Sequence, residues 1–287
     1  MVNGQVELDC SDKRSVRGSL EERAAASLWD SKLSGTMVPP PRFTVESPTL
    51  ASGYRVQSLN ARRWGSIGRK IVGHKIGMTS IAIQKQFGID HPTRGSLFDS
   101  MIYPSGAQVT LPPACSQGRA EGEIAFVMRY NLDAGRPTLN DTLDAIAYAL
   151  PAIEIVNSRV ANWDVTPFDF VADNAGAEFA ILGSDRIAAN ARDLSMVTME
   201  MELNGAIGSR GTGTDCLGSP VRALHWLVCH LIEHGSVLRK NDIVMSGSLG
   251  PALPVKSGDI VKVRIDNLAP VCVQFTDLRP NASQCAF

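Results

Sequence analysis

The sequence predicts an α+β fold that is mostly β, a sandwich- or barrel-like body behind a small N-terminal helical layer. Short apolar runs recur from residue 70 to residue 275, separated by Gly, Pro, Asn and Asp turns. Only two long helical stretches interrupt them, and the other two longer helix signals stand together ahead of residue 68. The chain therefore divides into residues 1–68, a helical layer and linker, and residues 69–287, a β-rich domain.

Ser19 followed by Glu22 is a capping-box pattern, and the helix formers after it run to Gly35, which supplies a stop. The Pro39-Pro40-Pro41 run forces an extended linker, and Tyr54 to Trp64 is the second helix. Lys70 to Gly77 reads as a strand, and Thr79 to Phe87 as a short helix capped by Thr79 or Ser80. Further strands are predicted at 107–111, 121–128, 152–156, 177–183, 197–205, 242–247, 259–266 and 271–275. The two long helices are Asn140 to Ala149 and Pro220 to His234.

Composition narrows the function classes. In 287 residues, 28 Lys and Arg face 29 Asp and Glu, a formal net charge of −1, and no basic run occurs. That speaks against a nucleic-acid partner or an acidic membrane surface. No segment reaches the roughly 18 uninterrupted apolar residues that span a bilayer, and the first thirty residues lack a secretory apolar core. Six scattered cysteines, Cys10, Cys115, Cys216, Cys229, Cys272 and Cys285, show the usage of a reducing compartment. A soluble cytoplasmic protein is expected.

Chemistry concentrates in Glu121-Gly122-Glu123-Ile124-Ala125-Phe126-Val127. On a strand, Glu121 and Glu123 project to one face while Ile124 and Phe126 point to the other. A second strand supplies Glu154 within Ala152-Ile153-Glu154-Ile155-Val156, where an unpaired carboxylate is too expensive to bury. Periodicity leaves two readings open. Either the three glutamates hold a hard, oxygen-loving cation such as Mg²⁺ or Mn²⁺, or Glu121 and Glu123 form a solvated face and Glu154 pairs with a cation such as Arg159.

Ordered motifs extend along most of the chain: His74 to Ser80, Gly95 to Met101, Glu121 to Val127, Pro151 to Arg159, Val171 to Ala175, Leu217 to Pro220, Trp226-Leu227 and Ser246 to Ser248. Together they resemble the 2-hydroxypenta-2,4-dienoate (2-keto-4-pentenoate) hydratases and the related 4-oxalocrotonate decarboxylases of the fumarylacetoacetate hydrolase superfamily. The resemblance implies that superfamily's mixed β-sheet roll or barrel, with Glu121, Glu123 and Glu154 as metal ligands. It implies Lys75 near the substrate, the Ser246-Gly247-Ser248 turn at the pocket, and a homo-oligomer. The hydroxyls of Thr79, Ser80, Ser246 and Ser248 are candidate donors to a substrate carboxylate, Ser248 foremost. The expected reaction is hydration of a 2-hydroxy-dienoate or 2-oxo-enoate to a 4-hydroxy-2-oxo acid in aromatic or related ring catabolism. The alternatives are a decarboxylase or C–C hydrolase on the same scaffold, or a non-catalytic partner subunit.

One stretch departs from the hydratase pattern. Where hydratases carry an aspartate after a proline, the sequence reads Asp90-His91-Pro92-Thr93-Arg94-Gly95, so Thr93 takes the proton-transfer position. The decarboxylases have an apolar residue there. Arg94 either pairs with a second substrate carboxylate, which suits a dicarboxylic acid, or faces solvent while Asp99 or His91 supplies acid–base function. Two weaker signals are set aside. His230-Leu231-Ile232-Glu233-His234 spells a zinc-site pattern but sits at a helix end with no third ligand, and the glycines from Gly205 to Gly213 read as a mobile loop.

Overall fold

The computed structural model describes residues 19–112, 117–133, 135–188, 190 and 192–277. Cys10, Cys115 and Cys285 lie outside these, and Cys216, Cys229 and Cys272 are free thiols. No helix among the described residues is long and apolar enough to cross a membrane.

Helix α1 spans Leu20–Ser34 and α2 spans Leu50–Ser66. The Ser19–Glu22 capping box forms as expected, and Gly35 ends α1 at φ 77°. Both helices share a core with α5 (Pro167–Ala172), built from Ala24, Ala25, Leu28, Val56, Val160, Phe168 and Ala172.

Strands β1 (Ile71–Gly77), β2 (Thr93–Phe98), β3 (Ile102–Pro104), β5 (Arg119–Met128), β6 (Ile146–Val156), β7 (Ala177–Leu182) and β10 (Ile243–Met245) make one sheet, ordered β2-β1-β10-β5-β6-β7-β3. A short β11 (Leu253–Pro254) pairs with β5. Strands β4 (Ala107–Thr110), β8 (Thr198–Leu203), β9 (Ala206–Thr212), β12 (Ile260–Ile265) and β13 (Val271–Thr276) make the second, ordered β4-β13-β12-β8-β9. The main core lies between the sheets and against α6 (Pro220–Glu233). There the inner faces of β5 and β6 (Ile124, Phe126, Ile153, Ile155) meet Met199, Met201, Val261, Val263 and Phe275. Each fully buried Ile or Phe contributes about 1.5–3 kcal/mol. The two-residue period then sends Glu121, Glu123 and Glu154 to the opposite, outer face.

Edge strand β2 is closed by side chains. Gln57 donates to the Arg94 carbonyl, the Arg94 N–H donates to the Tyr54 hydroxyl, and the Asn174 carboxamide bonds both the N–H and the C=O of Ser96.

Two local expectations are corrected. The predicted helix Asn140 to Ala149 stops early: α4 covers Leu139–Asp144, and Ile146 opens β6, with Tyr148 and Ala149 opposite Val127 and Phe126. Helix propensity is worth tenths of a kcal/mol per residue, and pairing with β5 outweighs it. The Gly205–Gly213 stretch is an ordered hairpin arm, not a loop. Asn204 and Gly205, both at positive φ, turn β8 into β9. Gly211 is required there because a Cβ would stand 1.7 Å from the Leu249 carbonyl oxygen.

A Cβ on Gly73 would stand 1.8 Å from the Ile243 carbonyl oxygen, so β1 and β10 pair at this position only around glycine. Gly65, inside α2, has open space around it. Gly73→Ala is expected to destabilise the chain by roughly 3 kcal/mol or more, and Gly65→Ala to stabilise it by up to about 1 kcal/mol. Urea unfolding midpoints of the two variants check both signs.

Candidate active site

Across the β5–β6 ladder Glu121 stands directly opposite Glu154, with Glu123 two residues along on the same face. One oxygen from each of the three carboxylates lies within 4.8 Å of the others. Glu123 and Glu154 are fully buried and Glu121 is half-buried, so the cluster opens on the Glu121 side. One oxygen of Glu123 accepts the Gly247 N–H at 2.9 Å. Its other oxygen, and both oxygens of Glu154, have no hydrogen-bond donor in good geometry. Lys75, also fully buried, places Nζ 3.2 Å from Glu154 Oε1 as an ion pair.

Burial pushes all three carboxyls above their ordinary range. Glu154 reaches about 7, raised by burial and by Glu121 against the pull of Lys75. Glu123 goes well above the usual value, because Glu154 and Glu121 add their repulsion to burial. Burial lowers the Lys75 ammonium, but the three glutamates together raise it further, so it stays charged. Three carboxylates facing one ammonium leave an excess of negative charge and unfilled oxygen lone pairs, which is the donor set of a hard divalent cation.

The predicted residues fall into two groups. Thr93 and Lys75 lie on the glutamate face of the sheet. Thr93 stands opposite Gly77 and Gly95 opposite Lys75, so Thr93 and Lys75 share a face. Thr93 Oγ1 is buried and has no hydrogen-bond partner. The Phe170 ring covers this face, 5.6 Å from Lys75 Nζ. Thr79 packs against Gly247, where a Cβ would stand 2.5 Å from its Oγ1. Ser80 caps α3 (Ile81–Phe87) by position, although its hydroxyl makes no capping bond. The Ser248 hydroxyl is turned onto the Gly250 carbonyl at 2.5 Å, within its own turn.

Arg94 and Asp99 stand apart from the glutamates. Arg94 pairs with Ile76, so strand alternation points it away from Lys75, and its guanidinium lies 4.9 Å from the Tyr54 ring centroid. Asp99 begins an exposed turn four residues beyond Gly95, about 13 Å along the strand, and its carboxylate caps the Ser100 N–H. His91 is also remote, lying beside Trp226 on α6. Arg159 does not pair with Glu154. It bonds Asp173 at 2.6 Å and Glu178 at 2.8 Å.

The fumarylacetoacetate (FAA) hydrolase C-terminal family model matches residues 73–276. The chain belongs to the fumarylacetoacetate hydrolase family. Within it, the chain is 39% identical over 261 residues to a 2-keto-4-pentenoate hydratase of Paraburkholderia xenovorans (strain LB400), covering 91% of this chain and 96% of that one. It is 32% identical over 268 residues to a 2-hydroxyhexa-2,4-dienoate hydratase of Comamonas testosteroni, covering 93% and 100% of the two chains. Among solved structures, the 4-oxalocrotonate decarboxylase of Pseudomonas putida G7, complexed with magnesium and adipate, superposes with TM-score 0.84 at 31% identity, covering 89% of this chain and 97% of that one.

Sequence reasoning missed three neighbours of the cluster. Phe170 lies on a six-residue helix too short to be recognised. The Gly247 N–H is a backbone donor and leaves no side-chain signal beyond the Ser-Gly-Ser turn. Arg119, two residues before Glu121 on the same face, was hidden by its ordinary surface appearance. Its guanidinium lies 4.6 Å from the Trp163 ring centroid, and Trp163 is fixed by Nε1 donating to the Gln117 carbonyl. Asn162 and Trp163 both adopt left-handed backbone angles, φ 59° and 53°, to present that ring.

A raised carboxyl pKa means that the folded, metal-free chain holds protons the unfolded chain has released. For Glu154 the resulting stability loss is absent below the ordinary value of 4.5 and complete above about 7. Metal-free protein is therefore expected to lose stability as pH rises through this window, while Mg²⁺ affinity rises over the same range because the ion displaces those protons. Thermal melts and calorimetric titrations across roughly pH 5 to 8 check both slopes. Glu123→Gln is expected to weaken Mg²⁺ binding by at least about a hundredfold, exceeding a lost outer-sphere partner, while raising the metal-free melting temperature at high pH.

Proposed function

We propose that the protein is a metal-dependent hydro-lyase that hydrates a 2-hydroxy-dienoate, through its 2-oxo-enoate tautomer, to a 4-hydroxy-2-oxo acid. The observation that carries this reading is the convergence of Glu121, Glu123 and Glu154 with Lys75 and the unpartnered Thr93 hydroxyl on one sheet face. The near-40% identity to hydratases over most of the chain supports it. Glu121, Glu123 and Glu154 would hold Mg²⁺ or Mn²⁺, and the bound ion would supply Lewis-acid polarisation of the vicinal carboxylate and 2-oxo oxygens of the substrate.

Lys75 carries the proton-handling role. Thr93 has no proton to titrate, Asp99 is remote, and Lys75 is the buried cation on the glutamate face. Its ammonium, 3.2 Å from Glu154, stands ready to hold an anionic oxygen and to pass a proton along the Lys75–Glu154 pair. Thr93 Oγ1 accepts from or donates to the water that adds, a positioning task rather than a proton transfer. Phe170 excludes bulk water from the ammonium. Thr79, Ser80 and Ser248 border the turn beside Glu123. In this reading Thr79 and Ser80 serve the substrate carboxylate, and Ser248 joins them by leaving Gly250.

Decarboxylation is the second reading, favoured by the neutral Thr93 and by the decarboxylase likeness. If the substrate is dicarboxylic, Arg119 rather than Arg94 receives its far carboxylate, because Arg119 shares the glutamate face. The same reading places the enzyme in aromatic or related ring catabolism, inside the cell, as an assembly of several copies.

Incubation of a 2-hydroxydienoate, and separately of a 2-oxo-enedioate, with Mg²⁺ or Mn²⁺, followed by product mass spectrometry, decides the reaction. A product heavier by one water supports hydration, one lighter by carbon dioxide supports decarboxylation, and unchanged substrate points to a partner subunit. Arg94→Ala is expected to leave the ratio of activities on mono- and dicarboxylic substrates unchanged. Arg119→Gln is expected to lower it on the dicarboxylic side by roughly tenfold, the scale of one charge-assisted hydrogen bond.

A further inference from the structure

The face of β1 and β2 turned away from Lys75 carries a second polar cluster with no part in the site above. Strand alternation sends His74 and Arg94 there. Helix α6 packs on the same side and presents Trp226, His230 and His234 four residues apart, the ring centroids of Trp226 and His230 separated by 5.0 Å and those of His230 and His234 by 4.2 Å. Tyr54 of α2 closes the group, 5.3 Å from the His230 ring, with the Arg94 guanidinium 4.9 Å from its own. His230 and His234 are the two histidines of the zinc-like sequence pattern. No third His, Cys, Asp or Glu completes a metal cluster with them among the described residues.

The cluster lacks a counter-charge. No ion pair among the described residues involves Arg94, and its side-chain contact with Gln57 Oε1 is long, at 3.4 Å. Two acids of adjoining segments are otherwise placed. Asp90 is almost fully exposed beside His91, and Asp242 accepts the Arg239 N–H. Arg94 Nε, His74 Nδ1 and His230 Nε2 are all buried without a hydrogen-bond partner, and the two histidines are only 6% and 9% exposed. Burial and the neighbouring Arg94 push both rings down to about 3, so they are neutral; the Gly95 backbone engages the His74 ring, and His230 can offer one N–H. A largely buried guanidinium without an anion is costly, and its own Nε and two imidazole nitrogens beside it are partnerless.

We propose that Arg94, His74 and His230 form a second binding site, on the opposite face of the sheet from the carboxylate cluster, that takes a small singly charged oxyanion, a carboxylate or a phosphate monoanion. The guanidinium supplies the charge and two directed donors. The His230 imidazole completes the hydrogen bonds, and the Tyr54 and Trp226 rings wall the site.

The test uses the full chain, freed of metal, titrated separately with acetate and inorganic phosphate while melting temperature and binding heat are followed. Saturable binding in the millimolar range with a rise in melting temperature is expected. It should weaken at least about tenfold in Arg94→Gln, one charge-assisted contact, and persist in Glu123→Gln. Stabilisation by acetate alone identifies a carboxylate site, and stabilisation by phosphate alone a phosphate site. Histidine side-chain NMR of the unaltered protein is the second readout, with the His74 and His230 ring signals shifting on saturation. The proposal is overturned by the absence of any anion effect, by an equal effect in Arg94→Gln, by loss of the effect in Glu123→Gln alone, or by histidine signals that do not move.

Discussion

Repulsion among Glu121, Glu123 and Glu154, balanced in part by one ammonium group, is the constraint around which the molecule is arranged. Three carboxylates on neighbouring strands cannot all ionise in a dry site against a single cation. The chain holds them there by placing each on a strand whose other face is anchored in the main core. Ile124, Ile153 and Ile155 fix β5 and β6 against the second sheet, and the glutamates have no freedom to retreat into solvent. The same rigidity that makes the cluster unfavourable keeps three carboxylate oxygens within 4.8 Å of one another, a group that could hold a cation.

Close backbone approach is the second theme. Gly122 lies against the Met199 side chain, Gly211 against the Leu249 carbonyl and Gly73 against Ile243. Each is a position where a missing Cβ lets one strand or loop reach another. Gly122 separates the two glutamates of β5, so the residue that brings the sheets together also spaces the carboxylates.

Much of this was legible in the sequence for identifiable reasons. The period of two around Glu121 and Glu123 assigned them to one face, the Ser19–Glu22 capping box located α1, and the motif order pointed to the family. The places that were not legible share a cause: the deciding information lay in a partner strand. Arg94 follows Thr93 directly, yet register places them on opposite faces, and no local pattern announces that Thr93–Gly95 is a strand at all. The helix-forming run that opens at Leu139 becomes strand at Ile146 because β5 is there to pair with it. Asp99 looked acidic and near, but its separation from Lys75 depends on how far the β1–β2 ladder extends.

The side chains closing β2 have a further consequence. Tyr54 and Gln57 come from α2, so the strand that carries Thr93 has part of its outer edge satisfied by the N-terminal segment. Removing that segment would do more than shorten the protein. It would expose unpaired backbone groups on a strand next to the one bearing Lys75, a template on which a second chain could add in register. The N-terminal helices thus cover part of a sheet edge as well as giving lateral support, from a part of the chain that contributes none of the glutamates.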